Sequence, residues 1–168
     1  ISDYLAEFTK SNVLDSDKGL KITAEKAEKA DKCLNDKSTA DVVKFLSGFK
    51  SGVMAMSQNI PGLVESSQNL GIANISGGYF NAVMSVRSSV KPEKQRLLDG
   101  IRELAAAYGA ELKIHGDYPA WEYRENSRLR NKMTEVYGKM YGKKPTVETV
   151  HAGLECGLLG EKIAGFDA

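Results

Sequence analysis

Seven residues near the end of the chain, 151–157 (His-Ala-Gly-Leu-Glu-Cys-Gly), place a histidine, a carboxylate and a thiol beside two glycines. They follow a short β-branched run, residues 146–150. Because glycine lets the backbone turn sharply and approach a ligand closely, Glu155 is a candidate ligand anchor at a strand exit. Pattern alone favours a plainer interpretation, a tight strand-to-helix turn with Glu155 near a helix N-terminus.

The other reactive residues do not form a recognisable catalytic or metal-binding pattern. The chain has two histidines: His151 stands in no metal-ligand spacing, and His115 begins a single His-x-Asp triplet with Asp117 that no adjacent glutamate pair accompanies. We expect His115 to be an exposed or hydrogen-bonded residue at a strand end. Cys156 has no histidine and acid spaced for a thiolate mechanism, so we predict a structural role. With Cys33 it makes neither a disulfide framework nor a zinc knuckle, which favours reduced thiols.

Composition narrows the class of protein. The 168 residues are 42% hydrophobic and 27% charged, which is ordinary for a globular chain with one good core or two small ones. A net charge of +1 provides no field that would attract nucleic acid or an anionic membrane. No apolar run approaches the roughly 20 residues of a membrane span, and no signal segment opens the chain, so we expect a cytoplasmic protein.

The first two-thirds of the chain predict an α+β fold. Helical spacing of Ile1, Leu5 and Phe8 indicates the tail of a helix, and alternation over 20–24 predicts a strand. The expected elements that follow are a helix over 38–50, strands over 63–76 and 79–90 joined by Gly77-Gly78, a helix from Pro92 to Tyr108, and a strand over 111–115. The order β-α-β-β-α-β over residues 19–115 is that of a ferredoxin-like sandwich.

The remaining residues predict one helix and one strand. Ser127 is placed to cap a helix with apolar residues on one face up to Met140, and Gly142 and Pro145 end it. The β-branched run 146–150 would be the strand. These elements are too few to enclose a core, which suits a piece of a larger α/β domain.

Three stretches together resemble the aminoacyl-histidine dipeptidases, also called cytosol nonspecific dipeptidases or peptidase D. They are the seven-residue motif 151–157, the stretch 116–121 (Gly-Asp-Tyr-Pro-Ala-Trp) and Asn126-Ser127. The likeness runs from about residue 60 to the C-terminus, and residues 1–60 match only in their pattern of elements. The resemblance implies a fragment of a larger enzyme, with a lid and dimerisation domain over 1–118 and part of the catalytic domain over 119–168.

These dipeptidases belong to the co-catalytic zinc peptidases, so the resemblance implies that the full-length parent hydrolyses dipeptides with a zinc-activated water. It also implies two zinc ions in that parent and a possible homodimer through the lid. The family's Glu-Glu and C-terminal histidine ligands have no matching position in this sequence, and the His-x-Asp spacing occurs only once, at His115 and Asp117. We therefore assign no metal ligand and no catalytic residue, and expect the fragment alone to be inactive and free of zinc.

Four residues are implied to bind substrate. Arg87 matches a lid arginine, whose planar guanidinium suits the C-terminal carboxylate of a dipeptide; without the resemblance, an edge-strand arginine in water would be favoured. Asn69 matches an asparagine that helps to hold substrate. A simple register about the Gly77-Gly78 turn puts Asn69 and Arg87 on opposite faces, so either a bulge intervenes or they serve different subunits. Glu155 would accept the substrate ammonium, and Gly153 would allow close backbone approach.

One alternative treats residues 19–115 as a self-standing ferredoxin-like binding or dimerisation module without catalysis, since that fold hosts many functions. The glycine-rich motif 151–157 argues against it, because such a module has no evident use for that loop.

Overall fold

The computed structural model describes residues 2–12, 19, 21–30, 32–149, 151–152 and 154–168. The chain divides into two compact units, Ile1–Asn35 and Asp36–Ala168. The first unit contains helix α1, Ser2–Asn12, which confirms the helix predicted there. The second unit contains every other helix and strand of the described residues.

The strand predicted over 20–24 is not formed in the described residues. Leu20 lies outside them, and residues 21–24 have no regular structure. Ile22 remains exposed among charged neighbours, so alternation in this segment buries no apolar face that would hold a strand in register.

The second unit has a mixed α/β architecture, which confirms the predicted α+β class. Its elements in chain order are α2 (Asp36–Gly48), β1 (Gly52–Met56), β2 (Val64–Ser76), β3 (Tyr79–Ser88), α3 (Lys91–Ala107), α4 (Arg128–Tyr141) and α5 (Glu155–Lys162).

The sheet is antiparallel with the order β1-β2-β3. The predicted hairpin is confirmed: β2 and β3 are joined by Gly77 and Gly78, whose φ angles of 60° and 81° are the positive values that glycine adopts without strain. The short edge strand β1 was not predicted, because five residues carry too little alternation to stand out.

Two other predicted strands are wrong. Residues 111–115 have no regular structure and leave Ile114 about half exposed, at 46%. Residues 146–149 also form no strand, and Val150 lies outside the described residues. Both runs alternate or are β-branched, but such runs become strands only where a sheet edge accepts their hydrogen bonds. The predicted β-α-β-β-α-β order is therefore not present in the described ranges, where three strands form the sheet.

Helices α2 and α3 supply the core of the second unit, with α3 packing against β3 and α2. The Phe45 ring of α2 contacts the rings of Phe80 and Tyr108 edge-on, with centroids 5.7 and 6.2 Å apart. The buried apolar residues of the described chain lie on α2, directly after α2, or on α3: Phe45, Phe49, Leu97, Ile101 and Ala105. One face of the sheet is thus covered by helices.

Helix α4 has the predicted ends. The Ser127 hydroxyl accepts a hydrogen bond from the Arg130 backbone N–H at 3.0 Å, and Gly142 ends the helix in a left-handed conformation. The residues on both sides of the predicted 118/119 domain boundary lie in the same compact unit, so that boundary stays a prediction.

Candidate functional site

A β-bulge at Gly71 sets the composition of the sheet face opposite the helices. Leu70 pairs with Met84, but the next pair is Ile72 with Val83, which leaves Gly71 as the extra residue. Directly paired residues project from the same face of an antiparallel sheet.

The register shift brings the two predicted lid residues together. Asn69 pairs with Ser85, and Ser67 pairs with Arg87, so Asn69 and Arg87 share one face of one chain. Of the two alternatives that the sequence left open, the bulge is the one observed.

The face that the helices leave uncovered is polar at its base and carries one apolar pair just beyond the bulge. Ser67, Asn69, Ser85 and Arg87 lie at the base, and we call these four residues the open-face cluster. The opposite face carries buried Ser66 and Gln68 at the same level. Toward the tip, the paired residues Ile72 and Val83 are both more than half exposed.

The glycine-rich loop lies against the open-face cluster. The Ser67 hydroxyl is 2.8 Å from Nε2 of His151, and Nη1 of Arg87 donates a long hydrogen bond of 3.4 Å to the His151 carbonyl oxygen. Sequence reasoning did not single out Ser67 as a site residue. The one feature that could have identified Ser67 is its position opposite Arg87 in the hairpin, and that pairing can be assigned only when the bulge is known.

The electrostatics of the loop follow from this contact. Burial lowers the pKa of His151 below its ordinary value, and the positive charge of Arg87 lowers it further, while a hydrogen bond to the Val64 backbone acts in the opposite direction. His151 is therefore neutral at pH 7, and a neutral imidazole lies beside the guanidinium without repelling it.

Glu155 is the first residue of α5, after Leu154 as N-cap. A carboxylate in the first turn interacts favourably with the helix dipole, as the plainer interpretation expects, but residues 146–149 do not form the strand that this interpretation places before the turn. Glu155 is exposed, and its binding of a substrate ammonium stays a prediction. Gly153 lies outside the described residues, so its predicted role also stays a prediction.

The two glycine-containing motifs of the sequence are packed together. A Cβ on buried Gly157 would lie 3.0 Å from the Pro119 carbonyl oxygen and 3.5 Å from the Trp121 Cβ, so this close approach needs a glycine. Lys94 of α3 binds both the Asp117 carboxylate and the Tyr118 carbonyl at 2.7 Å. Residues 117–121 therefore connect α3 to the start of α5.

The described residues do not form a metal centre or a nucleophilic triad. No three His, Cys, Asp or Glu side chains among them come together in a way that could hold a metal ion. In the same ranges no carboxylate contacts His151 to orient it as a base for Ser67. The described part of the chain also has no helix long and apolar enough to cross a membrane. Fixed positive charge with neighbouring polar groups suits binding of an anionic group.

Comparison with known proteins agrees with the motifs. No protein-family model matches the chain. Over 161 residues, 96% of its length, the chain is 27% identical to the cytosol non-specific dipeptidase of Escherichia coli (strain K12). It also matches the crystal structure of aminoacylhistidine dipeptidase from Vibrio alginolyticus with a TM-score of 0.81 and 27% identity over 95% of the chain. The resemblance to aminoacyl-histidine dipeptidases is confirmed.

This dipeptidase-like chain spans about a third of the length of both relatives, 33% of the first and 32% of the second. The likeness also extends further toward the N-terminus than residue 60, where the sequence had indicated only a matching pattern of elements. Within it, the loop that carries the dipeptidase-like motif and the hairpin that carries Arg87 are in direct contact.

Proposed function

We propose that this chain is the lid and substrate-binding part of a zinc-dependent aminoacyl-histidine dipeptidase, in which Arg87 binds the C-terminal carboxylate of the dipeptide. The observation that carries the proposal is the contact between the open-face cluster and His151. It places the lid arginine and the motif loop, which are far apart in sequence, on one surface.

The lack of an acidic partner for the Arg87 guanidinium among the described residues supports a role in anion binding. Its one hydrogen bond among the described residues is the long bond to a neutral carbonyl, and no carboxylate in those ranges pairs with it. The guanidinium therefore keeps its charge and most of its five N–H donors for a ligand, and two parallel hydrogen bonds would fix the orientation of a carboxylate. Asn69, on the same face, adds a neutral amide that can donate to the same ligand.

The substrate ammonium is assigned to Glu155, whose carboxylate side chain is exposed. Gly153 would let the backbone approach the substrate closely. Recognition of both charged ends explains how such an enzyme would select dipeptides over longer peptides.

The proposed zinc ions would be bound by the whole dipeptidase. Because the described residues do not fit a metal site, the part assigned to this chain is to bind and orient substrate, and the chain alone should not hydrolyse dipeptides. We also propose that the enzyme acts in the cytoplasm.

A homodimer through the lid is a further part of the proposal. In the described sheet the outer edge of β3 is unpaired over ten residues, which offers backbone donors and acceptors to a second copy. Light scattering at increasing protein concentration should show a dimer. A strictly monomeric protein would remove this part of the proposal.

The central test is Arg87→Ala in the dipeptidase that carries this segment, assayed with free dipeptides and with dipeptide amides. Loss of a charge-assisted double hydrogen bond in a closed cleft should lower kcat/KM for free dipeptides by about 30- to 1000-fold, or about 2–4 kcal/mol. Amides lack the carboxylate, so they should be poor substrates already and lose little more. Arg87→Lys should recover part of the loss, because an ammonium cannot form the planar double contact.

The matched control is Arg102→Ala, which removes an exposed arginine from α3 that pairs with Asp99. It should leave both substrates unaffected. An equal fall for amides and free dipeptides in Arg87→Ala would show that Arg87 stabilises the lid and does not read the carboxylate.

The role of Glu155 has its own test. Glu155→Gln should weaken binding of dipeptides with a free ammonium much more than binding of N-acetylated analogues, because only the former carry the charge. Equal losses would make Glu155 a helix-start residue without a role in recognition.

A further inference from the structure

Ser67 occupies the most constrained position of the open-face cluster. It lies on the central strand β2, with Val53 of β1 opposite it on one side and Arg87 of β3 on the other. A hydroxyl on a central strand has a fixed position, because hydrogen-bonded neighbours hold the backbone on both sides. At 2.8 Å from Nε2, it holds the His151 imidazole at a defined point over the sheet.

The backbone carbonyl of His151 contacts Arg87. Since the imidazole is tied to Ser67, the His151 carbonyl oxygen is held beside β3, where Nη1 of Arg87 donates to it. A free arginine side chain samples many rotamers, so even one fixed acceptor restricts where its guanidinium points.

We propose that Ser67 and His151 are positioning residues for Arg87, with the Ser67–His151 hydrogen bond fixing the loop carbonyl that aligns the guanidinium for an incoming carboxylate. The proposal rests on the carboxylate-binding role of Arg87 given above. It adds two residues to which neither the motif nor the relatives' names assign a role, and neither residue needs to touch the substrate.

The charges around His151 agree with a positioning role. The groups that face it are the Ser67 hydroxyl on β2, the Arg87 guanidinium on β3 and the backbone of Val64, and Arg87 is the only charged group among them. A neutral imidazole anchors the loop without adding a second positive charge beside the Arg87 guanidinium.

The first arm of the test measures Arg87 directly in the 168-residue chain. In the chain without substitutions, side-chain NMR of the Arg87 guanidinium should show restricted rotation and slow exchange of its N–H protons with solvent. Ser67→Ala and His151→Ala should both shift these signals toward those of a free arginine, whereas Ser67→Thr, which retains the hydroxyl, should preserve them. Ser76→Ala, at the far end of the same strand, is the matched serine control. Arg87 signals unchanged in both Ser67→Ala and His151→Ala would overturn the proposal.

The second arm measures catalysis in the dipeptidase that carries this segment. Ser67→Ala should raise KM for free dipeptides about three- to tenfold with a much smaller change in kcat, as expected for loss of one hydrogen bond. Ser67→Thr should restore most of the affinity. In an Arg87→Ala background the same Ser67→Ala change should have no further effect, because its role acts through the arginine. Additive losses would overturn the proposal.

The two arms separate failure of this inference from failure of the proposed function. If Arg87 is held by Ser67 and His151 but Arg87→Ala affects amides and free dipeptides equally, then the function assigned to Arg87 is wrong and the contact only stabilises the loop. If Arg87 reads the carboxylate but is equally mobile with and without Ser67, the positioning inference alone is wrong.

Discussion

Helices α3 and α4 have similar amphipathic sequences and very different surroundings. Helix α3 buries Leu97, Ile101 and Ala105 against β3 and α2. Helix α4 is of comparable length and has its own apolar face, yet it buries no residue, and Met133 and Met140 are 64% and 68% exposed. An apolar stripe therefore predicts that a helix has a face to cover, but the partner that covers it must be found elsewhere in the fold.

The difference also separates two kinds of stability. Helix α3 is stabilised by tertiary packing of apolar side chains, whereas α4 relies on its own hydrogen bonds and caps, on local ion pairs such as that between Lys132 and Glu135, and on Asp167, whose carboxylate accepts from the Leu129 N–H. Helix α4 should consequently open more readily than α3, which hydrogen exchange of the two helices can measure. Equal protection in both would mean that α4 packs against another surface in solution, for example a second copy.

The largest expected effect is on the free energy of unfolding, when a buried side chain of α3 is shortened and compared with an exposed one of α4. Leu97→Ala removes a buried side chain from the contact of α3 with the sheet and should lower the free energy of unfolding by about 2–5 kcal/mol. Met140→Ala on α4 should change it by less than about 0.5 kcal/mol, because that side chain is exposed. Urea unfolding followed by circular dichroism compares the two. Similar losses would erase the distinction between the helices.

A pair of glycine substitutions in α5 tests how tightly this helix packs against residues 119–121. Gly157→Ala puts a methyl group 3.0 Å from the Pro119 carbonyl and should destabilise the fold by about 1–3 kcal/mol. Gly160→Ala, in the same helix, meets only Phe166 at 4.0 Å and should stabilise by about 0.5–1 kcal/mol. Thermal unfolding of both proteins measures the difference. A stabilised Gly157→Ala would show that residues 119–121 do not pack tightly against α5.

Capping of α4 gives a smaller and more local effect. Ser127 is buried and its hydroxyl accepts the Arg130 N–H, so Ser127→Ala should cost about 1 kcal/mol and fray the first turn of α4. Ser127→Thr, which retains a capping hydroxyl, is the control. Amide exchange in residues 128–131 should rise only in the alanine protein. Loss of protection in α3 as well would mean that the two helices unfold together.

The smallest effect is a pH dependence of the loop. The folded pKa of His151 is lowered, so the docked loop has its full stability above the ordinary histidine pKa of about 6.5 and loses it as pH falls through the lower folded value. The protection factors of the amides at residues 151–152, which take account of slower intrinsic exchange at lower pH, should therefore fall on acidification, and His151→Gln should remove this dependence. His115→Gln, which changes the other histidine, should leave it intact. A loop that is better protected at low pH would contradict the assignment.

Much of the second unit could be predicted from the sequence, because its elements carry complete local signals. The hairpin has its glycine pair, α4 has its Ser127 cap and Gly142 end, and the apolar spacing of α3 is regular. The runs over 20–24, 111–115 and 146–150 failed as strands because strand formation depends on a partner edge, and alternation says nothing about whether that edge is available.

The candidate site was predictable in part. Resemblance identified Arg87 and Asn69, and the hairpin pattern predicted correctly that a bulge was one of two ways to reconcile them. The docking of His151 on Ser67 could not be predicted, because it is a contact between side chains 84 residues apart that no spacing rule connects. The substrate-binding roles of Arg87, Asn69, Glu155 and Gly153 all remain predictions.

The bulge at Gly71 divides the hairpin into two segments that differ in how much length variation they tolerate. Between the bulge and the Gly77-Gly78 turn, adding or removing two residues on each strand keeps both the pairing and the alternation of faces, and changes how far the tip projects. Below the bulge, a single unmatched insertion or deletion would turn Asn69 or Arg87 to the helix-covered face. Related chains should therefore vary in length at the tip and keep a fixed residue count between Ser67 and Gly71, and any chain that has lost the bulge should also have lost the asparagine.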